Sequence, residues 1–118
     1  MIHVIVVDDQ ALIRGALSAL IDLEDDMEVV AQAGNGHEAL AAIEAHTSAH
    51  PGSEVPLVVI MDVEMPVMDG ISTATALKER GSAARVLMVT TFGRPGYVQR
   101  ALDAGALGFV VKDAPAAQ

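Results

Sequence analysis

Short apolar runs recur along the chain at 2–7, 29–33, 57–61, 86–90 and 107–111, and the stretch between each pair is long enough for a helix. Strands alternating with helices at this spacing predict βαβ units, hence a parallel sheet with right-handed crossovers and an α/β fold. The first run, Ile2-His3-Val4-Ile5-Val6-Val7, and the third, Leu57-Val58-Val59-Ile60-Met61, do not alternate with polar residues. A run that is apolar throughout belongs to a strand covered on both faces. Between the first two strands, Leu12, Ala16, Leu20 and Leu23 recur at helical spacing and end at the acidic Glu24-Asp25-Asp26 turn, which predicts a first helix. Ala39, Leu40 and Ile43 predict a second helix over 36–45, entered through a Gly34-Asn35-Gly36 turn. The Ser-, His-, Pro- and Gly-rich segment 46–56 then reads as an exposed loop.

Asp69-Gly70 opens a third helix with Ile71, Ala74 and Leu77 on its apolar face, and Gly81-Ser82 closes it. A fourth starts near Pro95 and stops at Gly105. The remaining segment, 112–118, is too short and too poorly patterned for a further helix, so one flank of the sheet is expected to lie uncovered. At about 25 cal/mol per Å², a few hundred Å² of bared apolar sheet would favour a compensating contact by several kcal/mol, and dimerisation or strand exchange would supply it.

With 118 residues there is material for one domain. The hydrophobic fraction of 52% against 3% aromatic means a core of aliphatic residues and Met. The absence of Cys removes disulfides and thiolate chemistry, and fits a cytoplasmic protein. A six-residue apolar N-terminus ending in two aspartates is neither a signal peptide nor a membrane span. A net charge of -9 without a Lys/Arg cluster argues against DNA binding by this segment.

The candidate chemistry lies at the ends of the runs. Asp8 and Asp9 close the first and Asp62 closes the third, and ligands of open parallel sheets bind beyond the carboxyl ends of the strands. Three anions gathered there repel and call for a hard cation with oxygen ligands, so a Mg²⁺ site is expected. As a lone feature, Asp8 or Asp9 could cap a helix, and Asp69 reads as a cap. His3, His37, His46 and His50 show no ligand spacing with an acidic partner and are taken as surface residues.

Val6-Val7-Asp8-Asp9-Gln10, the segment Met61-Asp62-Val63-Glu64-Met65-Pro66-Val67-Met68-Asp69-Gly70, Val89-Thr90-Thr91 and Val110-Val111-Lys112 appear in order along the chain. Together they resemble the signatures of response-regulator receiver domains. The resemblance implies a flavodoxin-like (CheY-like), doubly wound five-stranded parallel sheet of order 2-1-3-4-5, lacking its usual fifth helix, over 1–118. It also implies that Asp62 takes a phosphoryl group from a sensor histidine kinase. Mg²⁺ would be held by Asp9 and Asp62, by the backbone carbonyl of Glu64, and by Asp8 mostly through water. Lys112 would pair with a phosphoryl oxygen, Thr90 would be the switch hydroxyl, and Thr91 would be the small residue admitting the phosphoryl group. Phe109 would take the position of the switch aromatic, without a hydroxyl to latch it. The side chain of Glu64 would influence hydrolysis of the phosphoryl group.

Leu23-Glu24-Asp25-Asp26-Met27-Glu28-Val29-Val30 and Thr90-Thr91-Phe92-Gly93-Arg94-Pro95-Gly96-Tyr97 further resemble the LuxR/NarL-type subgroup. Its members carry a C-terminal helix-turn-helix, so DNA would be reached only through a domain that this chain lacks. The surface of the fourth helix and fifth strand would then control dimerisation on phosphorylation. No activity beyond self-catalysed phosphoryl transfer and autodephosphorylation is expected. The rival reading is a Mg²⁺-dependent enzyme of Toprim type, because Asp62-Val63-Glu64 forms an acid-x-acid element, but no basic substrate groove accompanies it. A dimerisation module with a disused acid pocket is the third.

Overall fold

A computed structural model describes residues 1–90 and 95–111. The chain runs β1 (Ile2–Val7), α1 (Ala11–Asp22), β2 (Met27–Ala33), α2 (Gly36–Ala49), β3 (Leu57–Asp62), α3 (Gly70–Glu79), β4 (Arg85–Thr90), α4 (Tyr97–Asp103) and β5 (Gly108–Val111). All strand pairs are parallel and the order is β2-β1-β3-β4-β5. β1 therefore sits inside the sheet with β2 on one side and β3 on the other, and the chain reverses its winding direction between β1 and β3. That reversal opens a crevice at the carboxyl ends of these two strands, where open α/β sheets bind ligands.

Unbroken apolar runs became inner strands, as expected. Ile5, Val6, Val59, Met61 and Met88 are fully buried. The edge strand β2 carries exposed Glu28 and Gln32, the usual way of blunting an edge. One face of the sheet is closed by Ala39, Leu40 and Ile43 of α2, Ile71, Ala74 and Leu77 of α3, and Ala101 of α4, packed on Val59, Met61, Val86 and Met88. Such small and aliphatic side chains let helices approach the sheet closely, which suits a chain almost without aromatics. On the opposite face Val58, Ile60, Leu87 and Val89 are only half-buried, and the segment 112–118, read as too short for a covering helix, lies outside the described residues.

Helix ends follow local chemistry. The Asn35 side chain accepts from the Glu38 amide at 3.0 Å, and the Glu38 carboxylate accepts from the Gly34 amide at 3.1 Å, a variant of the capping box that reaches one residue before the N-cap. Asp69 caps α3 through the Ser72 amide at 2.7 Å. The helix closes with Gly81 in the left-handed region (φ 67°) and the Ser82 amide donating to the Leu77 carbonyl.

Two expectations are corrected. The stripe Leu12, Ala16, Leu20 and Leu23 accompanies a helix, but it faces away from the sheet, with Leu12 86% and Leu23 77% exposed. Ile13, Leu17, Ser18 and Ile21 turn inward instead. Both rows of α1 have helical periodicity, so periodicity alone did not choose between them. The second correction concerns α2, which runs a further turn to Ala49. His46 is therefore helical, and only 50–56 forms the connection to β3. Ala45 and Ala49 are strong helix formers, and the chain leaves the helix only ahead of Pro51-Gly52.

Candidate functional site: an acidic cluster at the carboxyl end of the sheet

β1 delivers Asp8 one residue beyond its last paired position, and β3 ends on Asp62 itself. Because β1 and β3 are hydrogen-bonded neighbours in parallel register, with Val7 opposite Met61, these acids must emerge side by side. Carboxylate oxygens of Asp8, Asp9 and Asp62 indeed lie within 4.8 Å of one another. Asp8 is 2% and Asp62 6% exposed, whereas Asp9 faces solvent. Two of the three negative charges are thus removed from bulk water while crowded against the third.

Backbone donors orient these side chains. Asp8 Oδ1 accepts the Gln10 amide at 2.9 Å, and the Asp62 Oδ1 accepts the Glu64 amide at 3.2 Å. The Arg14 guanidinium donates to the Asp8 carbonyl at 2.7 Å, pinning α1 to the turn that bears the acids. The Val63 amide donates to the Val89 carbonyl and the Gly70 amide to the Val63 carbonyl, which ties the β3–α3 loop to β4 and to its own helix. In that loop Val67 has a positive φ of 70°, a strained conformation for a β-branched residue.

Thr90 is 1% exposed and ends β4, the strand next to β3, one residue past the Asp62–Val89 pairing. Phe109 lies opposite Met88 in β5 and is half-buried against the core. Glu64 stands at the rim, exposed. Thr91 and Lys112 fall outside the described residues. Beside the acids opens a cavity of about 380 Å³ lined by Asp9, Glu64, Asp69, Tyr97 and Arg100. The Arg100 guanidinium lies 5.9 Å from the centroid of the Tyr97 ring. Sequence reasoning placed Tyr97 only in the subgroup signature and assigned Arg100 no role at all, because both reach this cavity only through the placement of α4. The larger cavity, about 850 Å³, is lined by Pro56, Leu57 and Arg85 at the amino ends of β3 and β4, far from the acids.

The model of the response regulator receiver domain family matches residues 4–118. The chain belongs to this family. It is 46% identical over 113 residues to the transcriptional regulatory protein YvfU of Bacillus subtilis, covering 96% of this chain and 52% of that protein. It is 41% identical over 115 residues to the transcriptional regulatory protein DesR of the same organism, covering 98% of this chain and 53% of that one. The receiver therefore spans about half the length of these curated relatives. A crystal structure of a DNA-binding response regulator of the LuxR family from Staphylococcus aureus superposes with a TM-score of 0.84 at 33% identity, covering 98% of this chain and 89% of that one. The resemblance to receivers of LuxR/NarL-type regulators holds over nearly the whole receiver, and the Toprim-like reading finds no support. Among the described residues no helix is long and apolar enough to cross a membrane.

Proposed function

We propose that Asp62 is the phosphoacceptor of this receiver, taking its phosphoryl group from a phosphohistidine of a sensor histidine kinase in the cytoplasm. The observation that carries this reading is the convergence of Asp8, Asp9 and Asp62 within 4.8 Å at the carboxyl ends of two adjacent strands. Hard carboxylate oxygens, two of the groups buried, are the donor set that Mg²⁺ prefers. Asp9 and Asp62 would hold it through carboxylates, Glu64 through its backbone carbonyl, and Asp8 through water. When bound, the ion supplies positive charge for the phosphoryl oxygens.

The chain itself does the positioning. The Glu64 amide donates to Asp62 and orients its carboxylate for attack on phosphorus in line. The new P–O bond forms as the P–N bond to the donor imidazole breaks, and the electron pair leaves with the ring. Lys112 and Thr91 would bind the transferred group, and Thr90, packed at the end of the neighbouring strand, would turn its hydroxyl toward it. Phe109 in β5 would follow that movement by packing alone. Apolar Val98 and Leu102 on α4 and Val110 on β5 are about half exposed, a surface suited to dimerisation on phosphorylation. Regulation of transcription would pass to a C-terminal helix-turn-helix domain, with DNA contacted only there. Activity would be limited to self-phosphorylation and autodephosphorylation.

Treatment with Mg²⁺ and acetyl phosphate is expected to add one phosphoryl group per chain by intact-protein mass spectrometry, and Asp62→Asn to add none. Retention of the adduct in Asp62→Asn would refute the assignment.

A further inference from the structure

β1 carries a second chemical group at its other end. His3 lies on the face shared with Ile5 and Val7, toward α2. The inner stripe of α2, Ala39 and Ile43, continues through His46 to His50 at steps of three and four residues. The three imidazoles consequently meet at the amino end of the sheet. His3 Nδ1 and His46 Nε2 are 2.8 Å apart, the His46 and His50 rings stack at 4.4 Å, and one ring nitrogen from each residue falls within a 4.8 Å cluster. Expected to be scattered surface residues, these histidines form a cluster because His46 is on the helix and not in a loop.

We propose that His3, His46 and His50 form a binding site for a late first-row divalent metal ion, zinc foremost. The donor chemistry is all imidazole nitrogen, which zinc, copper and nickel accept and magnesium does not. His50 Nδ1 lies 2.9 Å from the His46 carbonyl, which can only accept. In the neutral ring this contact places the proton on Nδ1 and leaves the Nε2 lone pair for a metal, the arrangement by which outer hydrogen bonds fix a ligand's tautomer. Nitrogens of a tetrahedral zinc site with bonds of about 2.0–2.1 Å stand about 3.3 Å apart, so the 2.8 Å pair need open only slightly. The imidazole that now donates in that pair would move its proton to its other nitrogen, and no net proton is released from neutral rings.

Two further features favour a cation there. His46 and His50 lie at the C-terminal end of α2, where the unpaired carbonyls carry partial negative charge. The large cavity lined by both histidines also includes Glu44 and Glu54, leaving room for a water or carboxylate as fourth ligand. His3 is held by its strand, and its amide donates to the Pro56 carbonyl. A bound ion would thus staple the end of α2 and the connection after it to the central strand. His3 and Asp8 are five residues apart along β1, or about 17 Å at strand rise, so the two sites share no ligand.

The test uses the 118-residue chain without an affinity tag, stripped of metal and supplied with excess Mg²⁺. Calorimetric titration with Zn²⁺ is expected to show one ion per chain, and Co²⁺ to give the visible absorption of four-coordinate geometry. His50→Gln, on an exposed position, and His3→Gln should each weaken binding by at least about a hundredfold, since even outer partners of a ligand are worth about 10–100-fold. Asp62→Asn should bind Zn²⁺ as the parent does. Zinc should raise the melting temperature of the parent but not of the histidine variants. Absence of zinc binding, binding in both histidine variants as tight as in the parent, or loss of binding in Asp62→Asn would each overturn the proposal.

Discussion

At Gly70 the backbone itself leaves no room for a side chain. A methyl group there would collide with the Asp62 carbonyl oxygen and approach Val63 Cα to 3.1 Å. Both obstacles are backbone, so the first turn of α3 could not give way without dragging the end of β3. Gly70→Ala is expected to cost about 1–3 kcal/mol in urea unfolding and to slow labelling by acetyl phosphate. Gly15 is the opposite case. It lies mid-helix on the exposed side of α1 with nothing within 4 Å of an added Cβ, so Gly15→Ala should stabilise by about 0.5–1 kcal/mol. Val67, exposed at a positive φ, should also gain from glycine; Val67→Gly is expected to raise the urea midpoint, and a fall would show that the strain is not borne there.

Among elements, α1 and α2 show what a sequence can and cannot reveal. Helix formation in α1 was legible from Leu12, Ala16, Leu20 and Leu23, yet which row meets the sheet was not. Ile13, Leu17 and Ile21 have the same spacing, and the choice depends on how the chain leaves β1. Leu12→Gln with Leu20→Gln should therefore leave stability within about 0.5 kcal/mol, whereas Ile43→Ala, on the buried face of α2, should cost about 2–5 kcal/mol. Equal losses in chemical denaturation would mean that the outer row of α1 is buried in solution. In α2 the turn-prone composition of 46–56 hid a last helical turn. The spacing His46-x-x-x-His50 was the available signal, but His3 is brought to it only by the packing of α2 on β1.

At the scale of the whole molecule, the order β2-β1-β3-β4-β5 sets carboxylates at one pole and imidazoles at the other. The acidic pole was readable because the pair Asp8-Asp9 and Asp62 each follow an apolar run and neighbouring parallel strands end together. The histidine pole needed tertiary information. Crowded anions should make Mg²⁺ stabilising: its addition is expected to raise the melting temperature of the parent, and Asp9→Asn should reduce that gain while making the metal-free protein more stable. An unchanged Mg²⁺ response in Asp9→Asn would remove that residue from the metal site. The chain contains no Trp and a single Tyr, Tyr97, which lines the small cavity beside Asp9 and Glu64. Ultraviolet emission excited beyond the phenylalanine band consequently arises from one ring at the mouth of the acidic cleft, giving the molecule a built-in optical reporter whose quenching can follow occupancy of that cleft without any label.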